Sequence, residues 1–327
     1  MSETNLSRAE SELREKLAGI NVSVLAGGVG GAKLADGIAH HVPPENLTIV
    51  VNTGDDFHHL GLKICPDIDT VMYMLAGVAN KETGWGRMGE SWRAIEEVKR
   101  LGGPAWFALG DLDLGTHLTR SHLLANGMSL TGATAILCHH FGIEAELYPM
   151  SDHPAPTMIV TVEGQIPFQT WFVEQQWQPE VKEIIFPDDV RTSKQVTSAL
   201  SKADILIIAP SNPFVSIDPI LNAYPIRELV KDMPDLVVAV SPIIAGKAVK
   251  GPAAKMMLEM GMPVTSSAIA SYYDGLIDVF VSDSRDDESI DQPDLQTMRT
   301  NTLMLDQSDQ SRLSYEILTY CMELLGK

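Results

Sequence analysis

Short apolar runs alternate along this chain with segments in which apolar residues recur every three or four positions. The first run, at 22–26 (VSVLA), is followed by Leu34, Ile38 and Val42 at helical spacing. Further runs of this kind lie at 47–52, 104–109, 203–210, 236–242, 277–282 and 302–305. Buried parallel strands read as continuous apolar stretches, and helices between them have a period of 3.6. The pattern therefore predicts a doubly wound α/β sheet of about six strands.

Two segments depart from this alternation. From 157 to 177 the apolar period becomes two, and Glu163-Gly164 supplies a turn, which predicts an inserted antiparallel hairpin. Helical patterns dominate between the second strand and residue 150. The predicted fold class is thus α/β, a doubly wound, mostly parallel Rossmann-like sheet with an inserted antiparallel hairpin and a helical segment. We expect an N-terminal extension at 1–20, which Leu13 and Leu17 predict to be a surface helix, and a single domain at 21–327. Its helical insertion spans about 70–150 and its hairpin about 155–180.

A glycine-rich turn joins the first strand to its helix. It contains Gly27, Gly28, Gly30 and Gly31, with Lys33 just beyond. Unpaired N–H groups and the helix dipole make such a turn an anion site, and glycine lets a phosphate approach the main chain. The turn fits neither a dinucleotide fingerprint nor a Walker loop, because the third glycine and the Gly-Lys-Ser/Thr sequence are missing. The alternative to a phosphate site is a purely structural tight turn.

Composition limits the classes of partner. The 327 residues carry a formal net charge of −19, so we expect no nucleic-acid partner, because backbone binding needs a basic face. We also expect no membrane partner, since no apolar run is long enough to span a bilayer. Three scattered cysteines are typical of a reducing cytoplasm and argue against disulfides. The acidic balance also means that local cations or a divalent metal must offset the field around a phosphorylated ligand.

Four carboxylates lie after the second strand, on two predicted loops. They are Asp55, Asp56, Asp67 and Asp69, all within fifteen residues. Oxygen ligands of this kind suit Mg²⁺, which takes one or two carboxylates together with substrate phosphates. The alternative for Asp69 is plain capping, with Thr70, of the helix that follows.

The segment GDLDLGTH places more polar chemistry after the predicted strand at 104–109. Asp111 and Asp113 follow that strand, and Thr116 can cap a helix on which His117 and Arg120 share a face. His117 is suited to take a proton near neutral pH, and Arg120 to grip a phosphate or carboxylate. The alternatives are a satisfied buried histidine, and an arginine that pairs with Asp111 or Asp113 to brace the loop.

Two other positions bear on the ligand. The second strand ends in Asn52, where a dinucleotide-binding Rossmann fold has an acidic residue for the ribose. Trp85, in the sequence GWGR, can stack on a flat ring or belong to the core.

Eight motifs in order resemble those of a known family. They are AGGVGGAKL, VVNTGDD, CPDIDTVMY, GWG, WFALGDLDLGTHLTR, LYPMSD, APSNPFVSI and SPIIAGKAVKGPA. In this order they are similar to those of the 2-phospho-L-lactate transferases of deazaflavin coenzyme F-420 biosynthesis, over about 23–305. The resemblance implies a Mg²⁺-dependent transfer of a phospho-acid from a donor activated by guanosine diphosphate to the deazaflavin Fo, with release of GMP. Ala108 and the GGVGGAK turn look more like the bacterial branch that uses phosphoenolpyruvate.

The resemblance also implies roles for individual residues. The implied catalytic residues are Asp55, Asp69, His117 and Arg120, of which Asp55 and Asp69 bind the metal. The implied nucleotide- and phosphate-binding residues are Gly27, Gly28, Gly30, Gly31, Lys33, Ser211, Asn212 and Lys247. Those implied for Fo are Asp69, Trp85, Ala108 and Asp111. A cytoplasmic homodimer is the expected assembly.

Two other functions compete with the transferase. One is a non-catalytic regulator that binds a nucleotide sugar or dinucleotide, similar to the gluconeogenesis-factor proteins, and it would not need GDLDLGTH or the Asp67/Asp69 pair. The other is an NAD(P)-dependent oxidoreductase, which the missing third glycine and Asn52 disfavour. Whether the transferred acid is phospholactate, phosphoenolpyruvate or phosphoglycerate stays open.

Overall fold

The computed structural model describes residues 8–287 and 289–327. Within them the strands are β1 (Val22–Ala26), β2 (Leu47–Val51), β3 (Phe57–His59), β4 (Leu62–Ile64), β5 (Glu146–Pro149), β6 (Met158–Thr161), β7 (Gly164–Pro167), β8 (Glu183–Ile185), β9 (Ile205–Ile208), β10 (Leu236–Val240), β11 (Ile243–Ile244), β12 (Lys247–Ala248), β13 (Val279–Asp283) and β14 (Gln296–Thr300). The α-helices are α1 (Arg8–Leu17), α2 (Gly28–His41), α3 (Pro66–Leu75), α4 (Arg93–Arg100), α5 (Asp111–Ala125), α6 (Leu130–His140), α7 (Lys194–Leu200), α8 (Asp218–Asn222), α9 (Ile226–Asp232), α10 (Ala253–Glu259), α11 (Ser266–Tyr272) and α12 (Gln307–Leu324).

Seven parallel strands form the main sheet, in the order β14-β13-β10-β9-β1-β2-β5. From β1 the chain builds outward through β2 and β5, then returns to the other side of β1 and builds outward through β9, β10, β13 and β14. Val24 of β1 pairs with Ile49 of β2 and with Ile207 of β9. The direction of winding therefore reverses between β1 and β9, and ligands of open α/β sheets bind at the carboxyl edge of such a switch point. The predicted α/β fold is confirmed.

Helices cover both faces of the sheet, which explains why its strands are apolar without alternation. In β1, Val24 contributes to the core under α2, α3 and α12, and Leu25 to the core on the opposite face. Both side chains are fully buried.

The second, smaller sheet has the order β7-β6-β8. The predicted hairpin is confirmed at β6 and β7, where Thr161 pairs with Gly164 across the turn. The prediction that the hairpin continues to about residue 180 is wrong. Thr170–Glu174 forms a π-helical turn, and β8 follows it and pairs with β6 as a third strand.

The strand predicted at 104–109 is absent, since this segment of the described chain has no regular structure. It contains no β-branched residue, and its aromatic side chains pack outside the sheet instead. Trp106 and Phe107 lie with ring centroids 5.6 and 5.0 Å from that of Phe57 in β3.

Two predictions near the C-terminus also change. The last strand is β14, and 302–305, which was predicted as a strand, is irregular. The acidic composition of 283–294 would by itself predict a solvated loop, and Glu288 lies outside the described residues. Asp283 is instead buried at the end of β13, where its carboxylate accepts hydrogen bonds from Thr302 and Arg285.

Two predicted caps are wrong because their helices begin earlier than the sequence suggested. Helix α3 begins at Pro66 with Cys65 as its N-cap, so Asp69 lies inside the first turn. Helix α5 begins at Asp111, so Thr116 lies within it. The N-terminal helix is confirmed as α1, and residues 1–7 of its predicted extent lie outside the described residues. Nowhere in the described chain is a helix long and apolar enough to span a membrane.

A pair of glycine substitutions tests the packing of α2 on α12. A Cβ at Gly37 would lie 2.3 Å from the carbonyl oxygen of Gln310, whereas a Cβ at Gly115, on α5, meets nothing within 4 Å. We expect Gly37→Ala to lower the free energy of unfolding by about 1–3 kcal/mol, since the helices must separate. The matched control Gly115→Ala should raise it by roughly 0.5–1 kcal/mol through helix propensity. Urea unfolding of both variants measures the difference, and equal effects would show that α2 and α12 can move apart freely.

Candidate active site

A cavity of about 950 Å³ opens at the carboxyl edge of the main sheet. Segments that follow four neighbouring strands line it, with Gly28 after β1, Asp55 after β2, Ser211 after β9 and Ser241 after β10. The cavity therefore lies at the switch point, where the topology predicts the ligand.

The glycine-rich turn forms one wall and is tightly packed. The N–H of Gly28 donates to Asp67 Oδ1 at 2.8 Å, and the N–H of Gly27 donates to Ser211 Oγ at 3.2 Å. A Cβ at Gly30 would lie 2.3 Å from the carbonyl oxygen of Pro210. Close packing alone thus requires glycine at position 30, while the predicted binding of phosphate here stays a prediction.

Asn52, at the end of β2, bridges two buried carboxylates. Its amide nitrogen donates to Asp55 Oδ1 at 3.0 Å and to Asp67 Oδ2 at 2.9 Å. Its carbonyl oxygen accepts the N–H of Gly54 at 2.7 Å, which fixes the direction of the amide. Asp55 also receives a longer hydrogen bond, of 3.4 Å, from Gln169. The asparagine that replaces the acid of a dinucleotide-binding fold therefore holds two acids together.

Both members of this pair are costly to ionise. Burial, and then the charge of Asp67, raises the pKa of Asp55 well above its ordinary value. Burial raises the pKa of Asp67 to about 6, although the hydrogen bonds from Asn52 and Gly28 lower it. Neither carboxylate forms an ion pair with a lysine, arginine or histidine of the described chain. Two adjacent buried carboxylates without a cation are a site at which a bound cation is strongly favoured.

A second cluster lies between α3 and α5. Arg120 is fully buried and binds both carboxylate oxygens of Asp69, with Nη1 2.9 Å from Oδ2. His117 lies between two acids, its Nδ1 3.6 Å from Asp69 Oδ2 and its Nε2 3.3 Å from Asp113 Oδ1. The hydroxyl of Tyr73 donates to Asp113 Oδ1 at 2.7 Å. This cluster contains its own cation, unlike the Asp55–Asp67 pair.

In the second cluster, neighbouring opposite charges favour the ionised forms of Asp113 and Arg120. Burial disfavours the charged form of Asp113, but the hydrogen bond and charge of His117 outweigh it and lower the pKa of Asp113. Burial likewise opposes the charge of Arg120, and the charge of Asp69 outweighs it and raises the pKa of Arg120. Asp69, Asp113 and His117 each offer one possible metal-ligand atom, and these atoms lie within 4.8 Å of one another.

The two clusters differ in their fit to Mg²⁺. Asp55 and Asp67 offer only oxygen donors, which is the donor set that Mg²⁺ prefers, and no cation competes for them. The second cluster includes an imidazole, which suits softer transition metals better, and Arg120 already neutralises Asp69. That Asp55 and Asp69 share a metal stays a prediction, and the geometry favours Asp67 as the partner of Asp55.

Most of the residues predicted for the site line this cavity. They are Gly27, Gly28, Gly30, Lys33, Asp55, Asp69, Trp85, Ala108, His117, Ser211 and Asn212. Trp85 is 45% exposed at the cavity mouth, so the alternative that places it in the core is wrong.

The remaining predicted residues do not line the cavity. Gly31 packs against Ser211, and Lys247 lies exposed on β12. Asp111 accepts hydrogen bonds from the Ser91 hydroxyl and the Ala94 N–H, which fixes the start of α5. Arg120 lies behind Asp69, so its predicted direct grip on a phosphate and its alternative pairing with Asp111 or Asp113 both give way to a pairing with Asp69.

Several residues at the cavity were given no role of their own from the sequence, although Asp67 was counted among the four candidate metal carboxylates. They are Asp67, Asp113, Tyr73 and Lys250, together with Asn52, which bridges two of the acids behind the cavity wall. The sequence signal for Asp67 was the number of acids, because four carboxylates in fifteen residues exceed what capping requires, and the signal for Asp113 was its position after a predicted strand.

Two groups of aromatic side chains face the cavity. One consists of Trp106 and Phe107, near Trp85 in the cavity lining, and the other of Phe168 and Phe172, whose rings stack at 5.4 Å with an interplanar angle of 8°. Flat faces of this kind suit planar ring systems of a ligand.

Comparison with known proteins identifies the family. The model of the family described as 2-phospho-L-lactate transferase CofD matches residues 22–320, which includes both carboxylate clusters and the glycine-rich turn. The chain belongs to this family. The predicted resemblance is confirmed, and the protein is an enzyme of the transferase class.

Relatives in the CofD family carry two different names. A 2-phospho-L-lactate transferase of Methanospirillum hungatei is 37% identical over 91% of this chain and 99% of its own length. A phosphoenolpyruvate transferase of Kitasatospora aureofaciens is 40% identical over 83% of this chain and 87% of its own length. Because identities to the two kinds of relative are comparable, the expected closeness to the phosphoenolpyruvate branch stays a prediction.

The fold of this CofD-family chain is also similar to a solved structure. The crystal structure of a UPF0052-family protein from Bacillus halodurans superposes with a TM-score of 0.62. It covers 91% of this chain and 98% of that protein, at 15% sequence identity. At this identity the likeness shows the fold alone.

Proposed function

We propose that the protein transfers a phospho-acid from a guanosine diphosphate-activated donor to the terminal ribityl hydroxyl of the deazaflavin Fo, in coenzyme F-420 biosynthesis. The donor is lactyl-2-diphospho-5′-guanosine or its enolpyruvyl counterpart. The observation that carries the proposal is the cavity at the switch point, which joins a glycine-rich turn, an uncompensated carboxylate pair and aromatic faces. Membership of the transferase family favours this function over a regulator or an oxidoreductase.

The reaction exchanges one phosphorus–oxygen bond for another. The ribityl hydroxyl oxygen attacks the phosphorus that carries the acid, and the bond from that phosphorus to the oxygen of GMP breaks. The product is a phosphodiester between Fo and the acid, and GMP leaves with the negative charge. Such transfers depend on positioning and charge stabilisation and need no protein nucleophile.

Asp55 and Asp67 are the residues proposed to hold Mg²⁺. They lie beside the glycine-rich turn, where Asp67 accepts the Gly28 N–H. A bound Mg²⁺ would neutralise charge that develops on the transferring phosphate. Lys33, the turn, Ser211 and Asn212 would then surround the diphosphate of the donor.

His117 and Asp69 are proposed to serve the acceptor. Residues two apart on a helix point in different directions, so Asp67 and Asp69 of α3 face different groups. His117 would take the proton of the attacking ribityl hydroxyl, and Asp69 would accept a hydrogen bond from a neighbouring hydroxyl of the ribityl chain. The carboxylates of Asp69 and Asp113, within 3.6 Å of the imidazole, would stabilise the imidazolium that forms.

Incubation with Fo, Mg²⁺ and each guanylylated acid, followed by mass spectrometry, tests the proposal. We expect a phosphodiester of Fo with one of the acids, together with an equal amount of GMP. Excess chelator should stop the reaction. No product with any of the acids, or full activity in chelator, would contradict the proposed reaction or its metal.

The proposed assembly is a homodimer. Light scattering measures the molar mass of the protein in solution and tests this assembly.

A further inference from the structure

Lys33 and Lys250 are the lysine or arginine side chains that line the cavity among the residues described. They share it with four acids, Asp55, Asp67, Asp69 and Asp113. Lys33 comes from the second turn of α2, and Lys250 from the segment that follows β12. A polyanion that enters this acidic protein therefore meets two positive side chains from two separate segments.

Both ammonium groups bind a backbone carbonyl oxygen and have donors to spare. Lys33 Nζ lies 2.5 Å from the carbonyl oxygen of Met304, and Lys250 Nζ lies 2.6 Å from that of Thr83. An ammonium has three N–H donors, so each lysine retains two for a ligand. Within the described chain, neither lysine forms an ion pair within 4 Å.

The two lysines also sense each other. Burial lowers the pKa of Lys33, although the charges of Asp306 and Asp309 raise it. Lys250 is exposed as a residue, yet partial desolvation of its ammonium, and then the charge of Lys33, lowers its pKa. The positive charges of the two lysines repel each other, and a bound anion relieves that repulsion.

We propose that Lys250 is, together with Lys33, a cationic ligand of the donor diphosphate, and that it belongs to the substrate-binding residues of this transferase. This inference rests on the proposed function, since it assigns a residue to the same donor. In it, the glycine-rich turn and Lys33 contact the diphosphate from the closed side of the cavity. Lys250 contacts it from the mouth.

The hydrogen bond from Lys250 to Thr83 links the proposed diphosphate contact to the position of Trp85. The hydroxyl of Thr83 donates to the carbonyl oxygen of Trp85 at 2.7 Å, so Lys250 is tied to the segment that presents Trp85 at the cavity mouth. A Lys250 that binds the diphosphate while it holds Thr83 places Trp85 over an occupied cavity. Donor binding and the position of this aromatic wall are then linked through one ammonium group.

Calorimetric titration with inorganic pyrophosphate and with GDP, in the presence of Mg²⁺, tests the proposal. We expect Lys250→Met to weaken both ligands by about 10-fold to 100-fold, as for loss of a hydrogen bond to a charged group. Guanosine binding should not change. Lys250→Arg keeps the charge and should stay within a few-fold of the parent protein.

Lys231→Met is the matched control, because Lys231 is exposed on α9 and does not line the cavity. It should bind both ligands as the parent protein does. Equal weakening by the two variants would reduce the effect to a general loss of positive charge and overturn the proposal.

The outcomes also separate this proposal from the proposed function. If Lys250→Met binds pyrophosphate and GDP as tightly as the parent protein does, Lys250 only bonds Thr83 and does not bind the diphosphate. The proposed guanosine diphosphate-activated donor would remain supported in that case. A different result would be that pyrophosphate binds through Lys250 while GDP binds no more tightly than pyrophosphate. That result would support diphosphate binding by Lys33 and Lys250 and would contradict a donor that carries guanosine. A parent protein that binds neither ligand would overturn both.

Discussion

Replacement of Asp67 by asparagine is expected to lower the transfer rate by about a thousand-fold or more, while it makes the metal-free protein more stable at neutral pH. The loss of activity follows from the removal of one of the two carboxylates proposed to hold Mg²⁺. The gain in stability follows from removal of a buried charge that has no cationic partner. A residue that serves only the fold would show the opposite pairing of effects.

The size and pH range of the gain come from the pKa of Asp67. Burial raises it to about 6, from an ordinary value of 3.8. Between these two values the folded state keeps a proton that the unfolded chain has released, so this group destabilises the fold increasingly as the pH rises. The full penalty, up to about 3 kcal/mol, is present above pH 6. Because the new amide faces that of Asn52, we expect a net gain of about 1–2 kcal/mol.

Urea unfolding of the metal-free proteins at pH 4 and pH 7.5 measures this effect. The difference between Asp67→Asn and the parent protein should be close to zero at pH 4 and largest at pH 7.5. Addition of Mg²⁺ should stabilise the parent protein and not the variant, since a ligand stabilises only the state that binds it. A variant that is less stable at pH 7.5 would show that the ionised carboxylate is already compensated.

Asp36 provides the control for this experiment. Burial also raises the pKa of Asp36 to about 6, but its side chain does not line the cavity. Asp36→Asn should therefore stabilise the protein over the same pH range and leave the transfer rate unchanged. Loss of activity in both variants would point to a general effect of buried charge.

The parts of the site that the sequence predicted are those with a local signal. The continuous apolar run of β1, the glycines after it and the helical spacing of Leu34 and Ile38 all act within a few residues. Their outcome does not depend on distant packing, and the structure confirms the strand, the turn and the helix. The aromatic run at 104–109 had an equally local signal, and its packing against Phe57 overrode it.

What could not be predicted depends on residues that are distant in sequence. Lys247 and Lys250 lie three residues apart in the same motif, and only the path of the chain after β12 brings Lys250 to the cavity. Ala245 and Gly246, both at positive φ, form the turn between β11 and β12 that precedes this segment. Similarly, the acid that pairs with Arg120 comes from α3, 51 residues away in the sequence, and only the folded chain brings it to the buried face of α5.

Arg120→Met is expected to lower the free energy of unfolding by about 3–5 kcal/mol, because it leaves the carboxylate of Asp69 buried and unpaired. Arg120 has no exposed surface and binds both oxygens of Asp69, so its role is to position that acid beside His117. Arg120→Lys keeps the charge but cannot reproduce the two parallel bonds, and we expect an intermediate loss of stability. Thermal unfolding of the three proteins, measured beside their transfer rates, gives this ranking. A folded Arg120→Met protein with an unchanged melting temperature and a collapsed rate would instead indicate direct contact with the substrate.

The double variant Asp69→Asn/Arg120→Met isolates the pair from its surroundings. If the arginine serves mainly to compensate Asp69, removal of both charges should restore at least about 2 kcal/mol of the stability that Arg120→Met loses, since no unpaired charge is then left in the core. Activity should not return, because the acid that faces the acceptor is gone. Additive losses would mean that Arg120 stabilises the fold through other partners. The pairing across 51 residues of sequence would then be a consequence of the packing of α3 on α5 and not its cause.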